Sequence, residues 1–463
     1  LALIKTEPNS LFPEWLLNTF PKVEDVMMLL RGNPCEEGCS YCRTSLDAKT
    51  GLNRYFGYQY FRKFDGQNLQ EMAVDAALKN KSFITVFPTG GGKSLTYQLP
   101  ALMRGESTRS LTVVISPLQS LMKDQVDNLD ERQITNSATI NGLLDPIERE
   151  KVISNVRNGL ISILYIAPES LRSRTIERLL LGRDIARFVI DEAHCFSSWG
   201  HNFRVDYLYI GEFIKMIQEK KQNNKKIPVS CFTATAKPDV IEDIESYFKD
   251  KLNINMEKIV TSSRRKNLRF KVYKLKSEDE KYRQLRLLLE QRTCPTIIYA
   301  SRTKTVTILH KRLKEDGYCV AKFHGQMDKD EKIAEQDAFM KENTANIMVA
   351  TNAFGMGIDK DNIEMIIHYD ISDSLENYVQ ESGRAARKEA LNADCFILYV
   401  EDDLDKHFSL LQNTKLNLKE IQQIWKAIKA TTRFKKTMSQ SALEIARTAG
   451  WDENMRDLET RVK

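Results

Sequence analysis

The sequence has no apolar run near the roughly 18 residues that a membrane-spanning helix requires, and its start, LALIKTEPNS, carries neither a basic leader nor a long apolar segment. A soluble intracellular protein is expected. Cysteine is sparse, 8 in 463 residues, too thin for a disulfide framework. Cys195, Cys231, Cys294, Cys319 and Cys395 sit in or beside apolar runs, so buried reduced thiols are expected there. Charge of either sign is not in large excess: 69 Lys and Arg against 63 Asp and Glu leave +6, which permits a polyanionic partner without demanding one. Internal repeats are missing, and the basic stretch at 219–228, EKKQNNKKIP, reads as a solvated loop. With 42% hydrophobic and 29% charged residues, wholesale disorder is excluded, and the length allows about three domains.

What is present is a series of short apolar runs: FITVF, LTVVIS, ISILYIA, RFVID, VSCFTA, TIIYA, NIMVAT, EMIIHYD and CFILYV. Separated by polar segments of helical period, they predict buried strands of parallel α/β sheets. Nine are too many for one small sheet, and the basic, strand-poor stretch at 261–270, TSSRRKNLRF, divides them into two domains. In such sheets ligand groups follow the carboxyl ends of strands.

After FITVF come Pro88, Thr89, Gly90, Gly91, Gly92, Lys93 and Ser94, then an apparent helix. Glycines let backbone N–H groups close around phosphate oxygens, Lys93 neutralises their charge, and Ser94 can hold Mg²⁺. Phe87 stands where the strict general pattern has its first glycine. After RFVI come Asp191 and Glu192, the first suited to holding Mg²⁺ and the second to activating the attacking water.

Near the N-terminus, Cys35, Cys39 and Cys42 form C-x3-C-x2-C, a spacing able to hold Zn²⁺ or, less favoured, an iron–sulfur cluster. Three ligands are one short, and Asp47 is one candidate for the fourth; plain reduced thiols are the alternative. The spacing also resembles the cluster motif of radical S-adenosylmethionine enzymes, but no barrel-sized catalytic domain accompanies it.

At VIDEAHCFSSWGHNFR the sequence resembles the RecQ family of superfamily 2 helicases, and the resemblance runs from about 52 to 400. It implies that Gln67 hydrogen-bonds an adenine edge, with Tyr58, Phe61 or Arg62 packed near the base, although Lys63, Phe64, Asp65 and Gly66 replace the family's Pro-Gly ahead of that Gln. VISPLQSLMKDQV and YIAPESL resemble strand-loop-helix elements that touch the nucleic-acid backbone, and FTATA, with Thr233 and Thr235, an element linking nucleotide and DNA sites. YASRTKT, VATNAFGMGIDK and QESGRAARKEA resemble three second-domain motifs; Arg387, with Arg384 beside it, is the expected arginine finger, and Ala386 stands where the family has glycine. Phe196, Trp199, His201 and Phe203, with Arg204, form an aromatic loop that the resemblance assigns to sensing DNA; a local aromatic core is the alternative. Ser198 and Asn202 depart from the family's Gln and Asp.

The resulting expectation is an α/β protein with two tandem RecA-like parallel-sheet domains. A Cys-containing module is placed at 1–50, the first RecA-like domain at 51–262, the second at 263–400, and a helical region at 401–463, either a truncated winged helix or a plain helical appendage. No Cys follows Cys395, so the zinc domain that usually follows the motor in that family is expected to be absent or replaced. The implied function is ATP-dependent, 3′ to 5′ unwinding of DNA with ATP and Mg²⁺. Single-stranded and forked duplex DNA are the expected partners, with no membrane. The nucleoid-associated cytoplasm of a bacterium is preferred to a nucleus. A translocase that does not separate strands, and an ATP-gated clamp on a particular DNA structure, remain the alternatives.

Overall fold

Runs of four to six apolar residues can hide from water on both faces only inside a sheet covered by helices on each side, and the chain builds two such sheets. The computed structural model describes residues 19–20, 22–32, 35, 39–142, 144–197, 204–221, 226–234, 237–261, 265–341, 344–354, 360, 362–388, 391–403, 418–432 and 440–451.

The first sheet contains β1 (Phe83–Val86), β2 (Leu111–Ile115), β3 (Ser137–Ile140), β4 (Ile163–Ile166), β5 (Ile185–Ile190), β6 (Val229–Thr233) and β7 (Glu257–Val260), in the order β3-β4-β2-β5-β6-β1-β7. The second contains β8 (Leu268–Lys274), β9 (Thr296–Tyr299), β10 (Val320–Phe323), β11 (Ile347–Ala350), β12 (Met365–His368) and β13 (Ala393–Tyr399), in the order β10-β11-β9-β12-β13-β8. Every pairing in both sheets is parallel. Side chains alternate between the faces, so β2 sends Leu111, Val113 and Ile115 into one core and Val114 into the opposite one.

The nine expected runs are the strands β1, β2, β4, β5, β6, β9, β11, β12 and β13. The other four, β3, β7, β8 and β10, are the edges of the two sheets. Two of these edges are only partly covered: in β7 Ile259 alone is buried, and in β8 Leu268 alone is, with Phe270 and Val272 more than half exposed, whereas β3 is buried along its length. The divider at 261–270 is therefore strandless only in part, because β8 begins inside it.

Outside the sheets, the helix Val23–Gly32, a π-helical turn at Cys42–Leu46 and the helix Ala48–Phe56 precede the first sheet. After the second sheet, the helices Leu418–Thr431 and Ala442–Thr448 pair. Buried Trp451 closes that pair by donating from its indole N–H to the Gln423 side chain at 3.0 Å. A wing would fall beyond the described residues. Among the described residues no helix is long and apolar enough to cross a membrane. Of the five cysteines expected to be buried, Cys195, Cys231, Cys294 and Cys395 are, whereas Cys319 is exposed, because it precedes the edge strand β10.

Candidate functional site

β1 ends one strand away from β5, with β6 between them, so the glycine loop and the Asp-Glu pair emerge side by side at the carboxyl end of the first sheet. The loop turns at once, Gly91 N–H donating to the Pro88 carbonyl at 2.9 Å, and the helix Lys93–Thr108 starts on Gly92. Gly92 has a φ of +74°, and a Cβ there would stand 2.5 Å from the Gln70 side-chain nitrogen, so only glycine fits. Gln70 is buried in the helix Leu69–Leu78; it accepts from the Arg62 N–H at 2.8 Å and donates to the Gly92 carbonyl at 3.3 Å.

Gln67, the residue expected at an adenine edge, is not the glutamine that meets the glycine loop. Gln67 is exposed and pairs through its backbone with Phe64 in a tight turn. The residues inserted after Arg62 loop out, and the glutamine delivered to the glycine loop is Gln70. Tyr58 is half exposed beneath the Arg132 guanidinium, Phe61 is buried, and Arg62 donates to the Gly90 carbonyl.

At the end of β5, Asp191 is buried and Glu192 takes a left-handed backbone with φ of +48°, costly for a residue with a Cβ. Its amide donates to the Asp191 side chain at 3.0 Å, and the Tyr207 hydroxyl donates to the Asp191 carbonyl at 2.9 Å. Burial and the adjacent Glu192 charge push the Asp191 carboxyl up to about 6, against the pull of Lys93. Burial would also raise Glu192, but Lys93, His194 and Arg384 outweigh it and hold its carboxyl down to about 2. Burial opposes charge on His194, while its hydrogen bonds with Cys195 and Glu192 bring it up to about 10. His194 Nδ1 lies 3.2 Å from Glu192 and 3.1 Å from the Thr233 hydroxyl, joining the ends of β5 and β6.

The second sheet supplies the facing wall. His368 on β12 and the Ser372 hydroxyl both bond the Glu381 carboxylate, at 2.9 and 2.8 Å, fixing the helix Leu375–Ser382 that leads into Arg384 and Arg387. A Cβ on Gly383 would lie 2.8 Å from the Thr89 side chain, so the two domains touch there without room for another atom. Arg384 is buried, and its Nε has no hydrogen-bond partner among the described residues. Arg387 lies against Gly90, its Cγ 3.3 Å from where a Cβ would stand. Ala386 is left-handed, with φ of +48°, which accounts for the glycine of the family pattern at this place.

Arg265 was not singled out by the sequence beyond its place in a basic stretch. Its Nη1 donates to the carbonyls of Thr89 at 3.0 Å and Gly383 at 3.2 Å, and its Nη2 to those of Ala385 at 3.1 Å and Ala386 at 2.6 Å. The guanidinium fork suits several in-plane acceptors at once.

Two family models match the chain: DEAD/DEAH box helicase over residues 67–244 and helicase conserved C-terminal domain over 280–389. The ATP-dependent DNA helicase RecQ of Bacillus subtilis (strain 168) is 37% identical over 383 residues, 82% of this chain and 60% of that protein. The same organism's probable ATP-dependent DNA helicase RecS is 31% identical over 381 residues, 82% of this chain and 72% of that protein. The chain belongs to the RecQ family of helicases. It spans only three-fifths of the length of the Bacillus RecQ it matches. The crystal structure of the DUF1998 helicase MrfA bound to DNA and AMPPNP shares the fold, with a TM-score of 0.62 at 19% identity over 81% of this chain and 54% of that one.

Against the RecQ pattern, the aromatic loop is met only at its two ends. Trp199, His201 and Phe203, with Ser198, Asn202 and Thr235, lie outside the described residues. Phe196 is no stacking surface: it is buried edge-on against Tyr207 and Phe248 and tilted against Tyr247, with centroids 4.8 to 5.3 Å apart. It faces inward because the short 3-10 turn Ala193–Phe196 packs on the helix Pro238–Leu252. Arg204 is exposed; its amide donates to the Cys195 carbonyl at 3.1 Å and its guanidinium to the Pro117 carbonyl at 2.9 Å, tying this loop to the one after β2.

The residues present fit a nucleoside triphosphate with Mg²⁺: a glycine-built loop opening a helix, a buried arginine Nε without a hydrogen-bond partner among the described residues, and the carboxylates of buried Asp191 and largely buried Glu192 beside Lys93. Ser94 and Asp191 are the residues able to hold the cation. Far from them, Cys35, Cys39 and Cys42 come together with all three sulfurs within 4.8 Å of one another. Asp47 is not among them, because its carboxylate caps the helix Ala48–Phe56 by accepting from the Thr50 N–H and hydroxyl, both at 2.8 Å.

Proposed function

We propose that this chain is the motor of an ATP-dependent DNA helicase that moves 3′ to 5′ along a single strand and separates duplexes. The reading treats 51–262 and 263–400 as the two moving halves, with 1–50 and 401–463 as appended modules. The observation that carries it is the meeting, in one cleft between two sheets, of Lys93, Asp191 and Glu192 from the first and Arg384 and Arg387 from the second. A cleft lined from both sides changes its contacts when the halves move, so hydrolysis there can drive stepping.

Thr89, Gly90, Gly91, Gly92 and Lys93 hold the phosphates, and Gln70 and Arg62 are placed to read the base side of the loop. Ser94 and Asp191 would hold Mg²⁺, which would neutralise charge on the phosphates when bound. Glu192 orients the attacking water and takes its proton. Lys93 and Arg384 now hold its carboxyl low; a triphosphate competing for those cations raises its basicity at the moment a base is needed. Arg384 and Arg387 meet the charge that develops as the γ-phosphate departs.

The test is a fluorescent forked duplex with either a 3′ or a 5′ single-stranded arm, with ATP or a nonhydrolysable analogue. Unwinding only with ATP and a 3′ arm is expected. ATP-dependent displacement of a bound protein without strand separation would instead establish a translocase.

A further inference from the structure

We propose that Cys35, Cys39 and Cys42 form a mononuclear zinc site that fastens the segment ahead of the motor to the far end of the phosphate-loop helix. It is separate from the cleft and goes beyond the helicase reading.

Sulfur spacing decides the kind of site. Cys42 Sγ lies 3.4 Å from Cys35 Sγ and 3.6 Å from Cys39 Sγ, and no pair exceeds 4.8 Å. A single Zn²⁺ with Zn–S bonds of about 2.3 Å in tetrahedral geometry sets its sulfurs about 3.8 Å apart. A cubane iron–sulfur cluster attaches each thiolate to a different iron, which spreads the sulfurs much further. The three side chains are thus gathered around one atom's worth of space. None of them is in a disulfide.

The backbone is shaped to support thiolates. Cys35 N–H points to Cys42 Sγ and Cys39 N–H to Cys35 Sγ, both at 3.2 Å. Such amide donors offset the negative charge that sulfur keeps when bound to a metal, and they fix its direction. Cys42 also opens the π-helical turn Cys42–Leu46, a backbone form that is rare and concentrated at functional sites.

Three thiolates leave one tetrahedral position. Asp47 is engaged as a helix cap, and Cys35 and Cys39 are exposed, so a small exogenous donor such as water has access to it. The site's surroundings give it a mechanical role. The Tyr41 hydroxyl donates to the Arg31 carbonyl at 3.2 Å, and the Arg104 guanidinium donates to the carbonyls of Gly32 and Leu78 and, at 3.2 Å, to the Asn80 side chain. Arg104 belongs to the helix that begins at Lys93. A cation at the cysteines therefore holds the turn Cys42–Leu46 against the end of that helix opposite the phosphates.

The experiment uses the full chain, purified under reducing conditions without chelator. Elemental analysis is expected to give about one zinc per chain, with no iron and no acid-labile sulfide. Cys39→Ser should lower zinc content at least roughly tenfold, while Cys319→Ser, an exposed thiol elsewhere, should not. Because a variant can fail to fold, the parent is also stripped with a chelator: three further thiols should become reactive, and Co²⁺ added in place of zinc should give thiolate-to-metal charge-transfer absorption with a three-thiolate signature. The melting temperature should fall on stripping and return with Zn²⁺ but not with Mg²⁺. Stoichiometric iron with labile sulfide, a Cys35–Cys42 disulfide in the reduced preparation, zinc unchanged in Cys39→Ser, or no zinc uptake by the reduced protein would each overturn the proposal.

Discussion

The guanidinium of Arg62, ahead of the first sheet, donates to the backbone carbonyl of Arg387 in the second domain at 3.2 Å while its other nitrogen holds the Gly90 carbonyl. One side chain thus ties the phosphate loop to the arginine wall. Arg265 makes the same kind of connection from the linker, through Thr89 on one side and Gly383, Ala385 and Ala386 on the other. Both arginines hold the cleft together through carbonyls. The first prediction is that Arg265→Ala opens the nucleotide-free protein, seen as a larger radius of gyration by small-angle X-ray scattering. Arg265→Lys should not restore closure, because a single ammonium cannot reproduce the fork. With charged hydrogen bonds contributing about 1.5 to 3 kcal/mol each, the loss is well above thermal energy. An unchanged scattering profile would remove Arg265 from this role.

Glu192→Gln should leave ATP binding within a few-fold of the parent and lower DNA-stimulated hydrolysis by about two to four orders of magnitude. Equilibrium binding of a fluorescent ATP analogue and steady-state phosphate release read the two quantities separately. Hydrolysis at the parental rate would show that another group activates the water.

Gln70→Ala should raise KM for ATP about tenfold or more, since it frees Gly92 and the Arg62 amide together. Gln67→Ala should leave KM unchanged. The opposite ranking would mean that nucleotide binding rebuilds the inserted loop.

Phe196→Ala is expected to destabilise the first domain by about 3 to 5 kcal/mol in chemical denaturation, as for a buried aromatic. Trp199→Ala should spare both stability and basal hydrolysis while abolishing stimulation by single-stranded DNA. The two neighbours in one loop are thus assigned opposite duties. A stable Phe196→Ala protein that has lost stimulation would reverse the assignment of Phe196.

Burial, then the nearby Asp127 charge, pushes the Asp124 carboxyl up to about 6 against the pull of Lys123. Between about pH 4 and pH 6 the folded protein keeps a proton that the unfolded chain has released, so stability declines as pH rises through that window and levels off above it. Asp124→Asn should therefore be more stable than the parent at pH 7.5, by about 1 to 3 kcal/mol, with the difference closing towards pH 4. Urea denaturation at the two pH values checks the sign.

What the sequence disclosed follows the same physics as what it concealed. All interior strands were visible because a strand covered on both faces must be continuously apolar, as in Ile163–Ile166. The four edges were not: exposed Lys258 and Lys271 interrupt the pattern in β7 and β8, half-buried Lys322 does so in β10, and the buried but polar Ser137 and Thr139 do so in β3. Among the residues proposed for the site, Thr89 to Ser94, Asp191, Glu192, Arg384 and Arg387 could be singled out because each lies in a contiguous motif. Gln70 was hidden by counting forward from Phe61 and Arg62 across an insertion; counting back along the helix Leu69–Leu78 into β1 preserves its register with the glycines. Arg265 and Arg62 act on carbonyls far along the chain, and carbonyls leave no trace in side-chain identity. The core packing of Phe196 stayed one of two open readings because its neighbours Tyr247 and Phe248 come from another helix.

The strand order carries a consequence for biosynthesis. β1, which presents the phosphate loop, pairs only with β6 and β7, the last two strands of its sheet to be made. A ribosome must therefore deliver nearly the entire first half of the motor before the strand behind Lys93 has any neighbour. Until then Phe83–Val86 is an unpaired apolar segment on a nascent chain, the kind of surface that holding chaperones bind and that aggregates when synthesis outpaces closure. Nucleotide affinity should accordingly arise late and abruptly during translation.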